Sequence, residues 1–171
     1  MKKPSLSQYI WYTAAILAII GIDQLTKWLA VKYLSVIATC PLIEGVLHLT
    51  YVENEGAAFG MLADQRWIFI LVSSVTIAVL AFLIYSGRLL SNKLYTVSVI
   101  MIIAGGIGNM IDRLALGYVI DFIDFRLINF AVFNGADSFV CVGAGILMLG
   151  LILDIVKESK NSKGKAEDNE N

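Results

Sequence analysis

Short groups of charged and amide residues interrupt a chain that is otherwise strongly apolar, and each group contains an aspartate. The groups are Asp23 and Lys27; Asn109, Asp112 and Arg113; Asp121 and Asp124; and Asn134 and Asp137. Two aspartates brought close together cannot both ionise easily, so they share a proton and titrate as a coupled pair. One member can take a proton from an attacking water while its neighbour donates a hydrogen bond to a scissile carbonyl. These residue types therefore permit hydrolysis by paired aspartates.

Other hydrolytic chemistries lack the residues they need. The single histidine, His48, lies in a segment typical of a strand, and a Ser-His or Cys-His mechanism would depend on it alone. Zinc sites usually combine several histidines and cysteines. Cys40 precedes Pro41 in a predicted loop and Cys141 lies in an apolar run, so both are interpreted as bystanders. We predict neither a metal nor a cofactor.

Asp121 and Asp137 are the favoured pair on sequence grounds. Asp121 stands between two apolar residues, and Asp137 opens a predicted helix beside Asn134, which can position it. Asp124 competes with Asp121 for the role, because spacing alone does not exclude it.

The elements that carry these residues are predicted to cross a membrane. Hydrophobic residues make up 58% of the 171-residue chain and charged residues 16%, whereas soluble domains carry about 25% charged residues. A crossing takes about 20 residues, and apolar segments of that order lie at about 9–34, 67–85, 94–111 and 136–153. We predict an α-helical integral membrane protein with four transmembrane helices. The four-helix membrane unit is expected over 1–156, with a polar, disordered cytoplasmic tail over 157–171.

The connections at about 35–66 and 114–135 carry the unusual sequence. Residues 45–52 are β-branched and aromatic and favour a strand, so the fold class includes a small extracytoplasmic β-containing segment. The excess of lysine and arginine in the other connections places both termini in the cytoplasm. The net charge of −1, without a basic patch, argues against a nucleic-acid partner.

The depth of the polar groups is the main deduction from this layout. Asp23 lies roughly 21 Å along the first helix, which is predicted to run toward the outer face of the membrane. The third helix runs in the same direction and ends in Asn109, Asp112 and Arg113. Asp137 begins the fourth helix, which runs back toward the cytoplasm. All of them therefore fall near the outer leaflet. A proton-coupled transporter is an alternative, although a proton relay should spread its polar groups across the membrane. A non-catalytic membrane scaffold is another.

Several of these residues also have simple structural interpretations. Asp23 and Lys27 can form an i,i+4 ion pair, and Arg113 can extend to the interface beside a helix C-terminus. Asp137 or Asn134 can cap a helix. The glycines at 105, 106 and 108 suit close helix packing, since no strand precedes them as in a phosphate loop.

Five motifs, taken in order, resemble those of lipoprotein signal peptidase, also called signal peptidase II. The resemblance covers nearly the whole chain apart from the tail. The motifs are Asp23-Gln-Leu-Thr-Lys27, Asn54-Glu-Gly-Ala-Ala-Phe-Gly60, Gly105-Gly-Ile-Gly-Asn-Met-Ile-Asp-Arg113, Val119-Ile-Asp-Phe122 and Phe133-Asn-Gly-Ala-Asp137.

The resemblance implies that Asp121 and Asp137 are the catalytic pair and that Asp124 is not catalytic. It implies that a further set of residues lines the active site or stabilises its fold: Asp23, Lys27, Asn54, Gly56, Asn109, Asp112, Arg113 and Asn134.

The resemblance also implies an intramembrane aspartic endopeptidase of the bacterial cytoplasmic (inner) membrane, with its active site near the outer face. Its substrates are expected to be diacylglyceryl-modified prolipoproteins, cut just before the lipidated cysteine. Globomycin, a cyclic peptide inhibitor, is expected to occupy the aspartate pair, and the enzyme to be a monomer among membrane lipid. Residues 54–60, with Phe59 and Met61, are expected to lie on the membrane surface and hold the lipidated substrate.

Overall fold

Four long helices and three short strands form the fold in the computed structural model, which describes residues 3–56, 65–89 and 93–169, with side chains as far as Lys160. The expected substrate-holding segment therefore lies outside the described residues beyond Gly56. The elements in chain order are α1 Leu6–Ile37, β1 Thr39–Ile43, β2 Leu47–Asn54, α2 Arg66–Tyr85, α3 Lys93–Ala115, β3 Val119–Phe125 and α4 Gly135–Asn169.

The four helices are each long and apolar enough to cross a membrane, which confirms the predicted fold class. α2 is the most apolar, and only 6% of its span is buried inside the protein. Its side chains therefore need lipid as their solvent. α4 continues to Asn169, so the prediction of disorder is wrong for 157–169; this stretch contains no proline, the residue that most strongly interrupts a helix. The division into a 1–156 unit and a tail remains a prediction.

α3 lies at the centre and contacts each of the other three helices. A core of apolar residues, including Ile103 and Ala104, joins α3 to α1 and α2. On the α4 side, Gly105 lies against the Ala136 backbone, where a Cβ would collide with the carbonyl oxygen. The interpretation of these glycines as packing residues is confirmed, and the close approach brings the start of α4 onto α3.

The strands form an antiparallel sheet in the order β1-β2-β3 at the end of the helices where α1 and α3 finish. The strand predicted over 45–52 is found as β2, but β1 and β3 were not predicted. Cys40 and Pro41 therefore lie in a strand and not in a loop. Proline is tolerated there because β1 is an edge strand. Pairing of Val52 with Asp121 places one favoured aspartate in β3, beside the end of α3.

Candidate active site

Asp121 is almost completely buried in β3, with 1% of its surface exposed. Its Oδ1 accepts a hydrogen bond from Nδ2 of Asn134 at 2.6 Å, and its Oδ2 accepts one from Nδ2 of Asn54 at 2.7 Å. Both carboxyl oxygens are thus held by amide donors from opposite sides, which fixes the direction in which the carboxyl group faces.

Asp137 lies in the first turn of α4 and is held in a similar way. Asn109 donates from Nδ2 to its Oδ1 at 2.7 Å, and the backbone N–H of Asn134 donates to its Oδ2 at 3.2 Å. In return, Oδ1 of Asn134 accepts from the backbone N–H of Asp137 at 2.9 Å. This reciprocal pair is a capping box at the start of α4. The capping interpretation of Asn134 is confirmed, and the same residue contacts both aspartates.

Three asparagine amides are oriented by what their oxygens accept. Oδ1 of Asn54 accepts from the Gly56 backbone N–H at 3.0 Å, and Oδ1 of Asn109 accepts from Nζ of Lys27 at 2.9 Å. Oδ1 of Asn134 is occupied by the Asp137 N–H. Because an amide carries its acceptor and its donors at opposite ends, each NH2 group must face an aspartate.

A buried ion cluster, formed by Lys27, Asp23 and Asp112, stabilises this arrangement. Nζ of Lys27 lies 3.0 Å from Oδ2 of Asp23 and 2.8 Å from Oδ2 of Asp112, and all three side chains are at most 3% exposed. The predicted Asp23–Lys27 pair is confirmed and is joined by a second carboxylate. Two carboxylates against one ammonium leave acceptor capacity for further donors.

The two carboxylates of this cluster bind the chain directly before each candidate catalytic residue. Oδ1 of Asp23 accepts from the backbone N–H of Ala136 at 2.9 Å, and Oδ2 of Asp112 accepts from the backbone N–H of Ile120 at 3.2 Å. Ala136 precedes Asp137 and Ile120 precedes Asp121. The cluster therefore ties both aspartates to α1 and α3.

Gln24 belongs to the same cluster and was missed by the sequence analysis. Its Nε2 lies within hydrogen-bonding distance of Asp23 Oδ2 at 3.3 Å, the Gly108 carbonyl at 3.2 Å and Asp112 Oδ1 at 3.0 Å. The sequence did contain an indication of this role, because Gln24 is an uncharged polar residue within an apolar span, directly after Asp23.

A cavity of about 480 Å³ opens beside the two aspartates. α2, α3 and α4 each contribute to its wall through Phe69, Arg113 and Cys141, so Cys141 is not remote from the site. Arg113 stacks over the Phe69 ring at 4.9 Å and donates from Nη2 to the Gly56 carbonyl at 3.3 Å. The other lining residues are Asn54, Gly56, Asn109, Val119, Asp121, Phe130, Ala131, Val132, Phe133, Asp137 and Ser138. A few polar groups thus converge in a mostly apolar pocket, as in many ligand sites.

The surroundings of Asp121 raise its pKa to about 6. Burial is the main cause, and the negative charge of Asp137 adds to it, while hydrogen bonds from Asn54 and Asn134 act in the opposite direction. A carboxyl group that titrates this close to neutral pH can both take up and release a proton under ordinary conditions.

Asp124 has a different environment, although it lies in the same strand. Burial acts to raise the pKa of Asp124, but hydrogen bonds from Thr50 and Arg126 outweigh it and hold the pKa below its ordinary value. Its Oδ2 lies 2.7 Å from Thr50 Oγ1 and 2.9 Å from Arg126 Nε, and it does not line the cavity. It lies three positions after Asp121, and an odd offset along a strand places the two side chains on opposite faces of β3.

The predicted site residues therefore come together, and comparison with known proteins identifies the family. The family model described as Signal peptidase (SPase) II matches residues 15–153. The chain belongs to the signal peptidase II family. Membership makes it a multi-pass bacterial membrane protease that processes lipoprotein precursors, which decides against the transporter and scaffold alternatives.

Individual relatives agree with this assignment. A lipoprotein signal peptidase of Caldanaerobacter subterraneus is 53% identical over 130 residues, covering 75% of this chain and 87% of the relative. One of Brevibacillus brevis is 42% identical over 146 residues, covering 85% and 97%. One of Clostridioides difficile is 44% identical over 138 residues, covering 81% and 92%.

Solved structures of similar fold support the architecture. A bacterial membrane enzyme determined by the in meso method at 2.3 Å resolution superposes with a TM-score of 0.80 at 26% identity, covering 90% of this chain and 93% of that one. A second, at 1.9 Å resolution, gives a TM-score of 0.76 at 26% identity, covering 88% and 96%. The arrangement of helices and sheet is thus that of a known membrane enzyme.

Proposed function

We propose that this signal peptidase is an aspartic endopeptidase in which Asp121 and Asp137 activate a water molecule. The substrate is a diacylglyceryl-modified prolipoprotein, cut just before the lipidated cysteine. The observation that carries the proposal is that both aspartates line one cavity and are bridged by one side chain, Asn134. No other pair of acids lines that cavity among the described residues.

The reaction needs the pair to hold one proton. The ionised carboxylate takes a proton from the attacking water while the protonated one donates to the scissile carbonyl. Burial in an apolar cavity disfavours the doubly ionised state, and the pKa of Asp121, raised to about 6, is consistent with this. The oriented amides of Asn54, Asn109 and Asn134 keep both carboxyl groups facing the cavity as the proton moves.

The cavity is suited to a substrate that stays in the bilayer. Its wall is largely apolar, and it is bounded by helices α2 and α4 on either side of α3. A signal peptide is an apolar helix and the diacylglyceryl group is a lipid, so neither has to leave the membrane for the scissile bond to reach the aspartates. Residues 54–60 are proposed to hold the lipidated part of the substrate.

The wider setting belongs to the same proposal. Both termini lie in the cytoplasm, the active site lies near the outer face, and the enzyme works as a monomer among lipids. Asp23, Lys27, Asn109, Asp112 and Asn134 orient the pair, while Gly56 and Arg113 form the wall beside it. Globomycin inhibits by occupying the aspartate pair.

The deciding experiment is cleavage of a purified diacylated prolipoprotein by the protein in detergent. We expect Asp121→Asn and Asp137→Asn each to lower the rate at least about a thousandfold, as loss of a group central to the chemistry does. Asp124→Asn is the matched control, because it changes the same residue type in the same strand outside the cavity, and we expect it to stay within about threefold of wild type.

The folded state of each variant is checked by its thermal midpoint in the same detergent. Equal cleavage by the wild type, Asp121→Asn and Asp137→Asn would show that the aspartate pair is not catalytic. Loss of cleavage in Asp124→Asn with full activity in Asp121→Asn would move the role to Asp124.

A further inference from the structure

A second cavity, of about 300 Å³, lies at the sheet end of the molecule and shares no residue with the active-site cavity. It combines charges of both signs with two aromatic rings. Its lining residues are Glu55, Arg66, Trp67, Leu116, Gly117 and Tyr118. Nothing in the proposed reaction uses it.

Arg66 dominates this second cavity. Its guanidinium lies 4.9 Å from the centre of the Trp67 ring. Gly117 lies directly beside it: φ is +94°, and a Cβ at this residue would be 3.3 Å from Nη1 of Arg66. Among the side chains that the structure describes, no carboxylate lies within 4.0 Å of this guanidinium. Stacking on a ring occupies its face, so its edge N–H groups are available for an oxyanion.

The position of Arg66 along its helix places it at the depth of lipid phosphates. It is the first of the 20 residues of α2, and no other charged residue follows in that helix. Twenty residues span about 30 Å, which matches the hydrocarbon thickness of a bilayer. Trp67 is 64% exposed on the helix surface, and tryptophan and tyrosine concentrate at the headgroup level.

Glu55 supplies the opposite charge. It lies in the same cavity as Arg66 and forms no ion pair with a described residue. A carboxylate with the Tyr118 ring, which no described cation occupies, offers a site for an ammonium group. A headgroup with a phosphate and an ammonium, as in phosphatidylethanolamine, therefore matches both halves of the cavity.

We infer that this cavity binds the headgroup of one membrane phospholipid, with the phosphodiester at Arg66 and the ammonium at Glu55. The diacylglyceryl group of the proposed substrate carries no phosphate, so the cavity selects a resident lipid over the substrate. Glu55 lies between Asn54 and Gly56, and 116–118 lead directly into β3. A bound headgroup thus braces both segments that carry the active-site residues.

The test is native mass spectrometry of delipidated protein in a phosphate-free detergent, with phosphatidylethanolamine, phosphatidylglycerol, diacylglycerol or inorganic phosphate added separately. We expect one phosphatidylethanolamine per protein. Arg66→Gln should raise its Kd at least tenfold and Arg66→Lys by no more than about threefold. Glu55→Gln should remove the preference for phosphatidylethanolamine over phosphatidylglycerol.

Lys32→Gln is the matched control and should leave the Kd within twofold. Lys32 also lies over aromatic rings, Trp28 and Tyr33, near the same end of the helices, but it lines neither of these two cavities. Wild-type binding by Arg66→Gln, or equal binding of diacylglycerol, would overturn the inference. Inorganic phosphate that displaces the lipid at equal concentration would show a free-anion site instead. The readout is independent of cleavage, so it stands or fails separately from the proposed function.

Discussion

Asparagine, not a charged residue, determines the direction of both candidate catalytic groups. The side-chain oxygen of each of the three asparagines accepts a hydrogen bond from a group that can only donate, namely a backbone N–H or the Lys27 ammonium. The NH2 group of each asparagine therefore faces a carboxylate. An aspartate in place of any of them would present an acceptor to an acceptor and add a negative charge beside the pair.

The raised pKa of Asp121 gives a prediction with a definite sign. Because the pKa is about 6 in the folded protein and 3.8 in an unperturbed aspartate, the unfolded state ionises first as the pH rises. The contribution of Asp121 to the free energy of unfolding therefore falls as the pH rises from about 4 to about 6, and it stays constant above about pH 6. We expect the infrared band of protonated Asp121, identified by its loss in Asp121→Asn, to disappear with a midpoint near pH 6.

Asn54→Ala tests the cause of that pKa. Its hydrogen bond lowers the pKa of Asp121, so removing it should move the midpoint of the infrared band to higher pH. A wild-type midpoint near pH 4 would show that burial does not control this group.

Lys27 is the residue whose loss should cost most stability. Lys27→Met leaves Asp23 and Asp112 buried without a cation, which costs about 3–5 kcal/mol. The exposed Lys32→Met is the control and should cost less than about 1 kcal/mol. The measurement is the thermal midpoint in detergent, and adding Asp23→Asn to Lys27→Met should recover part of the loss. Equal effects of the two lysine substitutions would contradict the ion cluster.

At the scale of the elements, the close approach of α1, α3 and α4 depends on Gly108. A Cβ there would lie 2.5 Å from Oδ2 of Asp23, the oxygen bound to Lys27. We expect Gly108→Ala to cost about 1–3 kcal/mol by overpacking. Gly21→Ala in α1 meets no atom within 4 Å and should gain up to about 1 kcal/mol from helix propensity. Thermal midpoints that move in the same direction would argue against this packing.

The helices could be predicted from the sequence because each span is a long apolar run. The strands were harder: β2 has a clear β-branched pattern, but β1 and β3 are short, and the pairing that defines them comes from segments far apart in the chain. The convergence of the site residues followed from their depth. The roles of Ile120 and Ala136 could not be predicted from the sequence, because both residues act through backbone N–H groups, which a pattern of side chains does not reveal.

At the scale of the whole molecule, the sheet and both cavities lie at one end, and the cationic residues Lys32 and Arg66 lie there too. The lysines at the far end of α4 are expected to remain in the cytoplasm. The polar end of the molecule should therefore face outward.

Cysteine labelling tests this orientation. In a background of Cys40→Ala and Cys141→Ala, Leu42→Cys in exposed β1 should react with a membrane-impermeant maleimide on intact cells. Ser159→Cys in α4 should react only after permeabilisation. The reverse pattern would place the active site at the cytoplasmic face.

Asn134, the residue that bridges the two aspartates, is also open to slow chemical degradation. Asn134 is followed by glycine, the sequence in which an asparagine side chain cyclises most readily onto the next backbone nitrogen and deamidates. Here its oxygen accepts from the backbone N–H of Asp137, its nitrogen lies within hydrogen-bonding distance of three acceptors, and the residue is fully buried at the start of a helix. These contacts hold the amide away from ring closure. Each local opening of α4 exposes it to an irreversible change that would leave a third carboxylate between the pair, so the rigidity of this turn determines how long the enzyme stays active.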